Sequence, residues 1–173
     1  MVKEVSAGAV VFKIKKGGIE YLLLHYGSKK HPKHWDFSRG GVEKGERWQE
    51  TARREIREET GIKELKFIHG FIKNIKWFYK RRFTPVKSRF AGTRQRASYF
   101  TGQEKGYVVV FKRAIFYLAE TKENEVKISS EHIGWSWLDY EKALKQLTFK
   151  NAKNILIKAN NFLLKDIKYG EKK

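Results

Sequence analysis

Three glutamates, Glu55, Glu58 and Glu59, lie close together in the stretch EIREET. Residues three and four apart share a helix face, so a helix here would bring the three carboxylates onto one exposed face. Carboxylates this close repel one another unless cations lie among them. Mg²⁺ prefers hard oxygen ligands and is commonly shared between carboxylates and substrate phosphates. The spacing therefore indicates a metal site that acts on a phosphate-containing substrate.

A glycine-bearing loop precedes the glutamates, and residues 40–62 read GGVEKGERWQETARREIREETGI. Glycine lets the backbone bend and approach a ligand closely. An isolated charged run would more often be a solvated helix face with ion pairs four residues apart. Here the glycines, Glu46, Arg54 and the aliphatic positions all stand in register with the glutamates, which favours the metal-site interpretation.

A helix must position these carboxylates, and the residues from about Arg47 to Thr60 are good helix formers without Pro or Gly. Gly61 is a natural residue at which such a helix ends. An apolar residue recurs every fourth position, at Trp48, Ala52 and Ile56, and predicts the buried stripe of this helix.

The segments around this helix predict mainly strands, with a turn at Lys16-Gly17-Gly18, a polar loop over 27–35, a break at Gly70 and a helix cap at Asp139. Strands, a central helix, further strands and terminal helices predict an α+β fold built as an α-β-α sandwich. The predicted strands are 5–14, 20–26, runs within 64–79, 107–119 and 133–138; the predicted helices are 140–147 and one from about 151.

The length of 173 residues, with 40% hydrophobic and 14% aromatic residues, suits one globular domain. The chain has no cysteine, which excludes disulfides and thiolate metal sites. No apolar run approaches the ~18 residues of a membrane span, and Lys3 and Glu4 interrupt the start where a signal peptide would be apolar. We therefore expect a cytoplasmic protein with no membrane partner.

The net charge of +19 is unevenly distributed. Residues 72–115 hold twelve Lys or Arg and one acid, Glu104, and a basic insertion is predicted at about 80–106. Such a field favours RNA or another polyanion as a partner; plain solubility or a lysine-rich composition would also produce it. The bases of the insertion are Lys80, Arg81, Arg82, Lys87, Arg89, Arg94, Arg96 and Lys105.

The stretch from Gly40 to Ile62 matches the Nudix box, G-x5-E-x7-R-E-U-x-E-E-x-G-U, where U is aliphatic. The chain resembles Nudix hydrolases, and within them the asymmetrical diadenosine tetraphosphate hydrolases, from about Ser6 to Phe162. The resemblance implies a single Nudix domain over 1–173, with a mixed β-sheet. It includes the segments SAGAVVF, EYLLLHY, KRAIFYLAE and ISSEHIGWSWLDYEKALKQLTFKNAKNIL.

The resemblance implies a magnesium site, in which Mn²⁺ could substitute, with four catalytic glutamates. Glu55 and Glu59 would be the principal metal ligands, and the Gly40 carbonyl a further one. Glu58 would bind a second metal or help position the water. Glu131 corresponds to an outlying carboxylate that reaches the metal site, although on chemistry alone it could be a surface acid. The pair formed by Arg54 and Glu46 would hold the loop against the helix.

The resemblance also implies the substrate contacts. Trp135 and Tyr79 would stack on nucleobases, while Lys112 and His34 would contact the phosphate chain. Arg39 stands where the family has lysine in Pro-Lys-Gly, and its bidentate guanidinium is not equivalent to that lysine.

Strand alternation is at odds with one of these roles, because Trp135 and the core-type residue Trp137 share a face in an ideal strand. Only a position at the strand end would free Trp135 for stacking.

The sequence is compatible with three functions. The first is hydrolysis of a dinucleoside polyphosphate, with diadenosine tetraphosphate giving ATP and AMP. The second is the same chemistry on triphosphorylated RNA 5′ ends, as in an RNA pyrophosphohydrolase or decapping-type enzyme. The third is a non-enzymatic RNA- or ribosome-binding module, which the intact Glu55, Glu58 and Glu59 disfavour.

Overall fold

Seven strands form one sheet in the computed structural model, which describes residues 2–28, 31–83 and 106–170. Within these residues no helix is long and apolar enough to cross a membrane. The elements in chain order are β1 Val2–Lys15, β2 Gly18–Ser28, β3 His31–Asp36, β4 Arg39–Gly41, α1 Trp48–Thr60, β5 Lys66–Phe83, β6 Gly106–Glu120, β7 His132–Asp139, α2 Tyr140–Gln146 and α3 Lys150–Gly170.

The sheet is mixed. Its strand order is β3-β2-β1-β6-β5, with β4 paired to β1 and β7 paired to β2. β1 and β6 run parallel, and the other pairs are antiparallel. A parallel pair needs a long crossover connection, and here that connection contains α1 and β5. Within that connection, α1 packs against the sheet through Ala52 and Ile56.

Side chains alternate along β1, so the strand presents apolar residues to both faces of the sheet. Helices cover both of these faces. Val10 and Phe12 pack in the layer that contains Ile155 of α3. Val11 packs on the opposite side, in the layer that contains Ile56 of α1. We call these the α3 face and the α1 face. The predicted α+β fold and α-β-α sandwich with a mixed sheet are confirmed.

The ends of α1 follow the sequence prediction. Glu50 Oε2 accepts a 2.9 Å hydrogen bond from the Arg47 backbone N–H at the start of the helix, and Gly61 ends the helix with φ +75°. The expected buried stripe is only partly correct, since Ala52 and Ile56 are fully buried but Trp48 is 40% exposed. Trp48 is the first residue of the helix, and the Arg113 guanidinium lies 4.9 Å from its ring centre.

Two strand predictions were wrong in extent. The segment 27–35, predicted as a loop, contains most of β3, which pairs with β2 at His25–Trp35. The expected break at Gly70, which has φ +85°, is an irregularity between Phe67 and Ile72 in one long strand, β5. β5 and β6 include both ends of the predicted basic insertion, and residues 84–105 lie outside the described part of the chain.

Candidate active site

The Arg54 side chain connects α1 to β4. Its Nε lies 2.9 Å from Glu46 Oε1, and its Nη2 donates to Glu46 Oε2 and to the Gly41 carbonyl, at 3.0 and 2.9 Å. The hydrogen bond from Arg54, followed by one from Thr51, lowers the pKa of Glu46 to about 2. Glu46 is therefore charged at neutral pH and holds the loop against the helix.

The same guanidinium also binds two of the predicted metal ligands. Arg54 Nη1 lies 2.8 Å from Glu55 Oε1 and 3.2 Å from Glu58 Oε2. Bidentate and shared contacts of this kind are typical of the rigid guanidinium group. Arg54 thus compensates part of the repulsion among the carboxylates.

Gly40 is the residue that lets Glu55 approach the backbone of β4. A Cβ atom at position 40 would overlap the Glu55 carboxyl group. Burial raises the pKa of Glu55, and the charges of Glu58 and Glu131 raise it further, while Arg54 opposes the shift. Glu131, exposed in the turn before β7, therefore lies within electrostatic range of Glu55.

Glu59 is buried behind Glu55, with 6% exposure. The Tyr26 hydroxyl donates to the Phe37 carbonyl at 3.0 Å and lies 3.3 Å from Glu59 Oε2. His132 Nε2 is 3.6 Å from Glu59 Oε1. Burial, with a smaller contribution from the charge of Glu55, raises the pKa of Glu59 to about 7. The prediction that the glutamates share an exposed face is thus only partly correct.

In the part of the chain that the structure describes, no three His, Asp or Glu side chains converge closely enough to hold a metal ion as they stand. The reason is visible in their contacts, since Glu55 and Glu58 bind Arg54 and Glu59 lies against Tyr26. The donor set nevertheless fits a hard cation. It consists of carboxylate oxygens beside the glycine backbone at Gly40, and burial together with mutual repulsion raises the pKa of two of the carboxyls.

Aromatic rings connect Glu59 to the α3 side of the site. The Tyr26 ring stacks on His34 at 5.0 Å and contacts His132 edge-on at 4.3 Å. The Phe149 ring packs on His34, with ring centres 5.1 Å apart. The sequence analysis did not identify Tyr26 or Phe149 as site residues, because only the pairing of β2 with β3 and β7 brings these rings together.

A second cluster forms around Glu4, which the sequence analysis also missed. Glu4 Oε2 accepts a 2.9 Å hydrogen bond from the Tyr79 hydroxyl and lies 3.8 Å from Lys112 Nζ. Glu4 Oε1 binds Arg81 at 2.7 Å. The parallel register of β1 and β6 sets Glu4 beside Lys112, and no local sequence signal reveals that register. Burial, and next the charge of Arg39, lower the pKa of Lys112.

A cavity of about 370 Å³ opens beside Arg39 on the α3 face. Arg39 Nη2 lies 3.3 Å from Asp36 Oδ2 at one end of this cavity. Aromatic and aliphatic side chains form most of the remaining wall, so the cavity has a charged end and an apolar body. The residues that line it are Asp36, Arg39, Ile75, Trp77, Phe116, Phe149, Asn151 and Ala152.

The predicted substrate residues do not all lie together. Lys112 lies on the face of Ala114, which packs in the α3 layer. Trp135, which is 38% exposed, pairs with Leu24, and Leu24 packs in the α1 layer. The structure thus groups Arg39, Tyr79 and Lys112 on the α3 face. His34 contacts Phe149, which lines the cavity on the α3 face. Trp135, in contrast, lies on the α1 face.

Trp137 lies on the same face as Trp135, as strand alternation requires. It packs against the α1 layer, and the Lys13 ammonium lies 4.2 Å from its ring centre. Its role as a core residue agrees with the sequence analysis.

We expect Glu59→Gln to stabilise the metal-free protein more at about pH 8 than at about pH 5. Burial raises the folded pKa of Glu59 from its ordinary 4.5 to about 7, so the unfolded state loses the proton first as the pH rises. The free energy of unfolding therefore falls as the pH rises from about 4.5 to about 7. The loss reaches roughly 3 kcal/mol once Glu59 is fully charged in the folded protein. The neutral amide avoids this penalty.

Urea unfolding of the wild type and the variant at both pH values measures the difference. Glu58→Gln is the control, because the Glu58 side chain is 60% exposed. A Glu59→Gln effect that is equal at the two pH values would contradict the burial argument.

The comparisons with known proteins agree with this geometry. A family model described as NUDIX domain matches residues 2–158. Among curated proteins, the bis(5′-nucleosyl)-tetraphosphatase [asymmetrical] of Mus musculus is 32% identical over 168 residues, covering 91% of this chain and 94% of that protein. The protein of the same name from Caenorhabditis elegans is 28% identical over 160 residues, with 91% and 95% coverage.

Solved structures give the same result. A crystal structure of a C. elegans Ap4A hydrolase binary complex is similar with a TM-score of 0.67 and 26% identity, covering 95% of this chain and 98% of that one. The family match covers most of the chain, and the Gly40–Glu55 and Arg54–Glu46 contacts lie within it. The chain therefore belongs to the Nudix hydrolases and is an enzyme that acts on phosphoanhydride bonds.

Proposed function

We propose that this enzyme is a Mg²⁺-dependent hydrolase of dinucleoside polyphosphates that cleaves diadenosine tetraphosphate to ATP and AMP. The observation that carries the proposal is the seating of the Glu55 carboxyl against Gly40, with Glu59 buried behind it. Arg39, the residue before Gly40 in the chain, lines the cavity on the α3 face and connects that cavity to this site. The tetraphosphatase names of the relatives support this substrate class.

The Nudix family generally uses divalent metal ions, and we assign Mg²⁺ here, with Mn²⁺ as a substitute. Glu55, Glu59 and the Gly40 carbonyl would be the principal ligands. Glu58 would hold a second ion or position the water, and Glu131 would approach from the turn before β7. When bound, the metal would neutralise phosphate charge and favour deprotonation of the attacking water.

The surroundings of Glu59 suit a carboxyl group that becomes fully deprotonated when a cation binds beside it. Its pKa of about 7 reflects burial and the charge of Glu55, and a nearby cation would lower that pKa. Tyr26 and His132 restrict the orientation of the carboxyl group. In our proposal these two residues are positioning residues for Glu59.

Two cations would bind the phosphate chain. Arg39 and Lys112 lie near enough for the charge of Arg39 to lower the pKa of Lys112. An anionic phosphate chain beside the two cations would relieve their mutual repulsion. The positive charges of Arg39 and Lys112 would in turn stabilise the phosphate chain. Glu4 holds Lys112 in place through an ion pair, and the Tyr79 hydroxyl donates to the same Glu4 oxygen.

The apolar body of the cavity would take a nucleobase. Trp77 and Phe149 present aromatic walls beside Arg39, and the volume of about 370 Å³ falls in the range of small-molecule sites. We therefore propose that Trp77 and Phe149 stack on the base, in addition to Tyr79. Stacking by Trp135 stays a prediction from the sequence, since Trp135 lies on the α1 face.

A second candidate is the same chemistry on triphosphorylated RNA 5′ ends. The twelve bases against one acid in residues 72–115 favour it, because a basic surface beside a hydrolytic site would hold an RNA chain. RNA or another polyanion is accordingly a proposed partner of this segment.

The proposed activity is tested by incubating the enzyme and Mg²⁺ with a panel of dinucleoside polyphosphates and a triphosphorylated RNA, with products identified by mass spectrometry. We expect diadenosine tetraphosphate to give ATP and AMP. Glu59→Gln should lower kcat at least about 100-fold without lowering the melting temperature. Glu43→Gln, an exposed acid of the same loop, is the control. Near-normal turnover by Glu59→Gln would rule out the assigned role of this carboxylate.

The base pocket is tested by the pair Phe149→Ala and Trp135→Ala. Phe149 lines the cavity, so its loss should raise KM for diadenosine tetraphosphate several-fold, since stacking contributes about 1–3 kcal/mol per base. KM for inorganic polyphosphate, which has no base, should change less. Trp135→Ala tests the stacking role predicted from the sequence; if Phe149 and Trp77 alone hold the base, this variant should affect both substrates little. The reverse pattern would assign stacking to Trp135 instead.

A further inference from the structure

One face of the hairpin formed by β5 and β6 alternates basic and aromatic side chains. Side chains two apart in a strand share a face, and antiparallel partners lie beside one another on it. Alternate residues of β5 and their register partners in β6 therefore form one continuous surface. We call it the basic–aromatic face; it comprises Lys76, Phe78, Lys80 and Arg82 of β5 with Arg113, Phe111, Val109 and Tyr107 of β6.

The rings on this face are exposed to an unusual degree. Phe78 is 64% and Tyr107 59% exposed. Phe78 packs beside Phe111 with ring centres 5.1 Å apart and ring planes tilted by 51°, so the two side chains form one aromatic pair. Large apolar rings left in water at adjacent positions mark interaction surfaces more often than they mark folding requirements.

Cations accompany these rings. The Arg82 guanidinium lies 5.8 Å from the Tyr107 ring centre, and its Nε donates to the Tyr107 hydroxyl at 3.1 Å. Arg113 lies over Trp48, at the edge of the face where α1 begins. None of the eight residues that define this face is Asp or Glu. The opposite face of the hairpin differs, because Glu4 there binds Tyr79, Arg81 and Lys112.

We propose that the basic–aromatic face binds single-stranded RNA. Flat exposed rings take unpaired bases, and the interleaved cations take the phosphates; this combination is typical of single-strand binding. A duplex would hide the base faces from Phe78 and Tyr107. RNA regularly presents unpaired bases in loops and ends.

This surface lies on the opposite face of the hairpin from the proposed base cavity. Trp77 and Tyr79, which alternate with Phe78 along β5, face the cavity and Glu4 instead. RNA bound on the basic–aromatic face would therefore not occupy that cavity, and its contacts there would not need a 5′ triphosphate. The inference goes beyond the proposed activity and stands or falls without it.

The test is binding of a fluorescent RNA of about 12 nucleotides with a 5′ hydroxyl, followed by anisotropy in metal-free buffer. Such an RNA has no phosphoanhydride bond, so hydrolysis does not enter. Phe78→Leu and Tyr107→Leu keep apolar bulk but remove the ring, and each should weaken binding at least about fivefold. Leu164→Ala, an exposed apolar residue of α3 (46%), should bind like the wild type.

The contribution of the cations has its own matched control. Lys76→Gln with Lys80→Gln should flatten the slope of log K against log salt by about 1.4, about 0.7 for each lost phosphate contact. Lys145→Gln with Lys158→Gln removes the same charge from exposed positions of α2 and α3 and should change the slope little.

Several outcomes would overturn the proposal. They are no binding of the wild type at low salt, unchanged binding by both ring variants, equal weakening by the two lysine pairs, or equal or tighter binding of a matched duplex or DNA strand. Melting temperatures of all variants show whether any loss reflects unfolding.

Discussion

The guanidinium of Arg54 is the interaction on which the site depends. It binds Glu46 and the Gly41 carbonyl on the loop side, and Glu55 and Glu58 on the helix side. Without a cation at this point, several carboxylates would repel one another across the junction of β4 and α1. With Arg54 present, the loop lies so close to α1 that Glu55 packs against the backbone of Gly40. A Cβ atom at position 40 would overlap the Glu55 carboxyl group, so this position requires glycine.

Burial then gives the three helix glutamates different properties. Glu58 is largely exposed, Glu55 is partly buried and Glu59 is almost fully buried. The pKa of Glu55 is raised, and that of Glu59 reaches about 7, because their charged forms lose hydration. One helix face thus provides both a solvent-accessible carboxylate and buried ones that favour a nearby cation. The parallel pairing of β1 with β6 adds Lys112 and Glu4 from the other side.

The sequence predicted best the features that depend on local chemistry. The limits of α1, its end at Gly61 and the cap at Asp139 follow from residue types over a few positions, and the structure has all three. The alternation of strands and helices was enough to predict the α-β-α sandwich. The resemblance to Nudix hydrolases implied the Arg54–Glu46 pair, which the structure also contains.

Features that depend on long-range register could not be predicted in this way. β3 forms because β2 offers an edge for pairing, although its own segment reads as a loop. Glu4 lies in the site only because β1 runs parallel to β6, and Phe149 only because α3 begins beside His34. Trp48 fits the apolar period of α1, but it lies at the helix end, where its ring meets the Arg113 guanidinium and not an apolar layer, and it stays 40% exposed.

The most direct test of the account is Mn²⁺ binding, followed by electron paramagnetic resonance, to the wild type, Gly40→Ala and Gly41→Ala. A Cβ at position 40 would overlap the Glu55 carboxyl, whereas one at position 41 would meet nothing within 4 Å among the described residues. We predict that Gly40→Ala weakens binding at least about tenfold and that Gly41→Ala binds like the wild type. Unchanged binding by Gly40→Ala, or equal losses in both variants, would contradict a metal site built on Gly40 and Glu55.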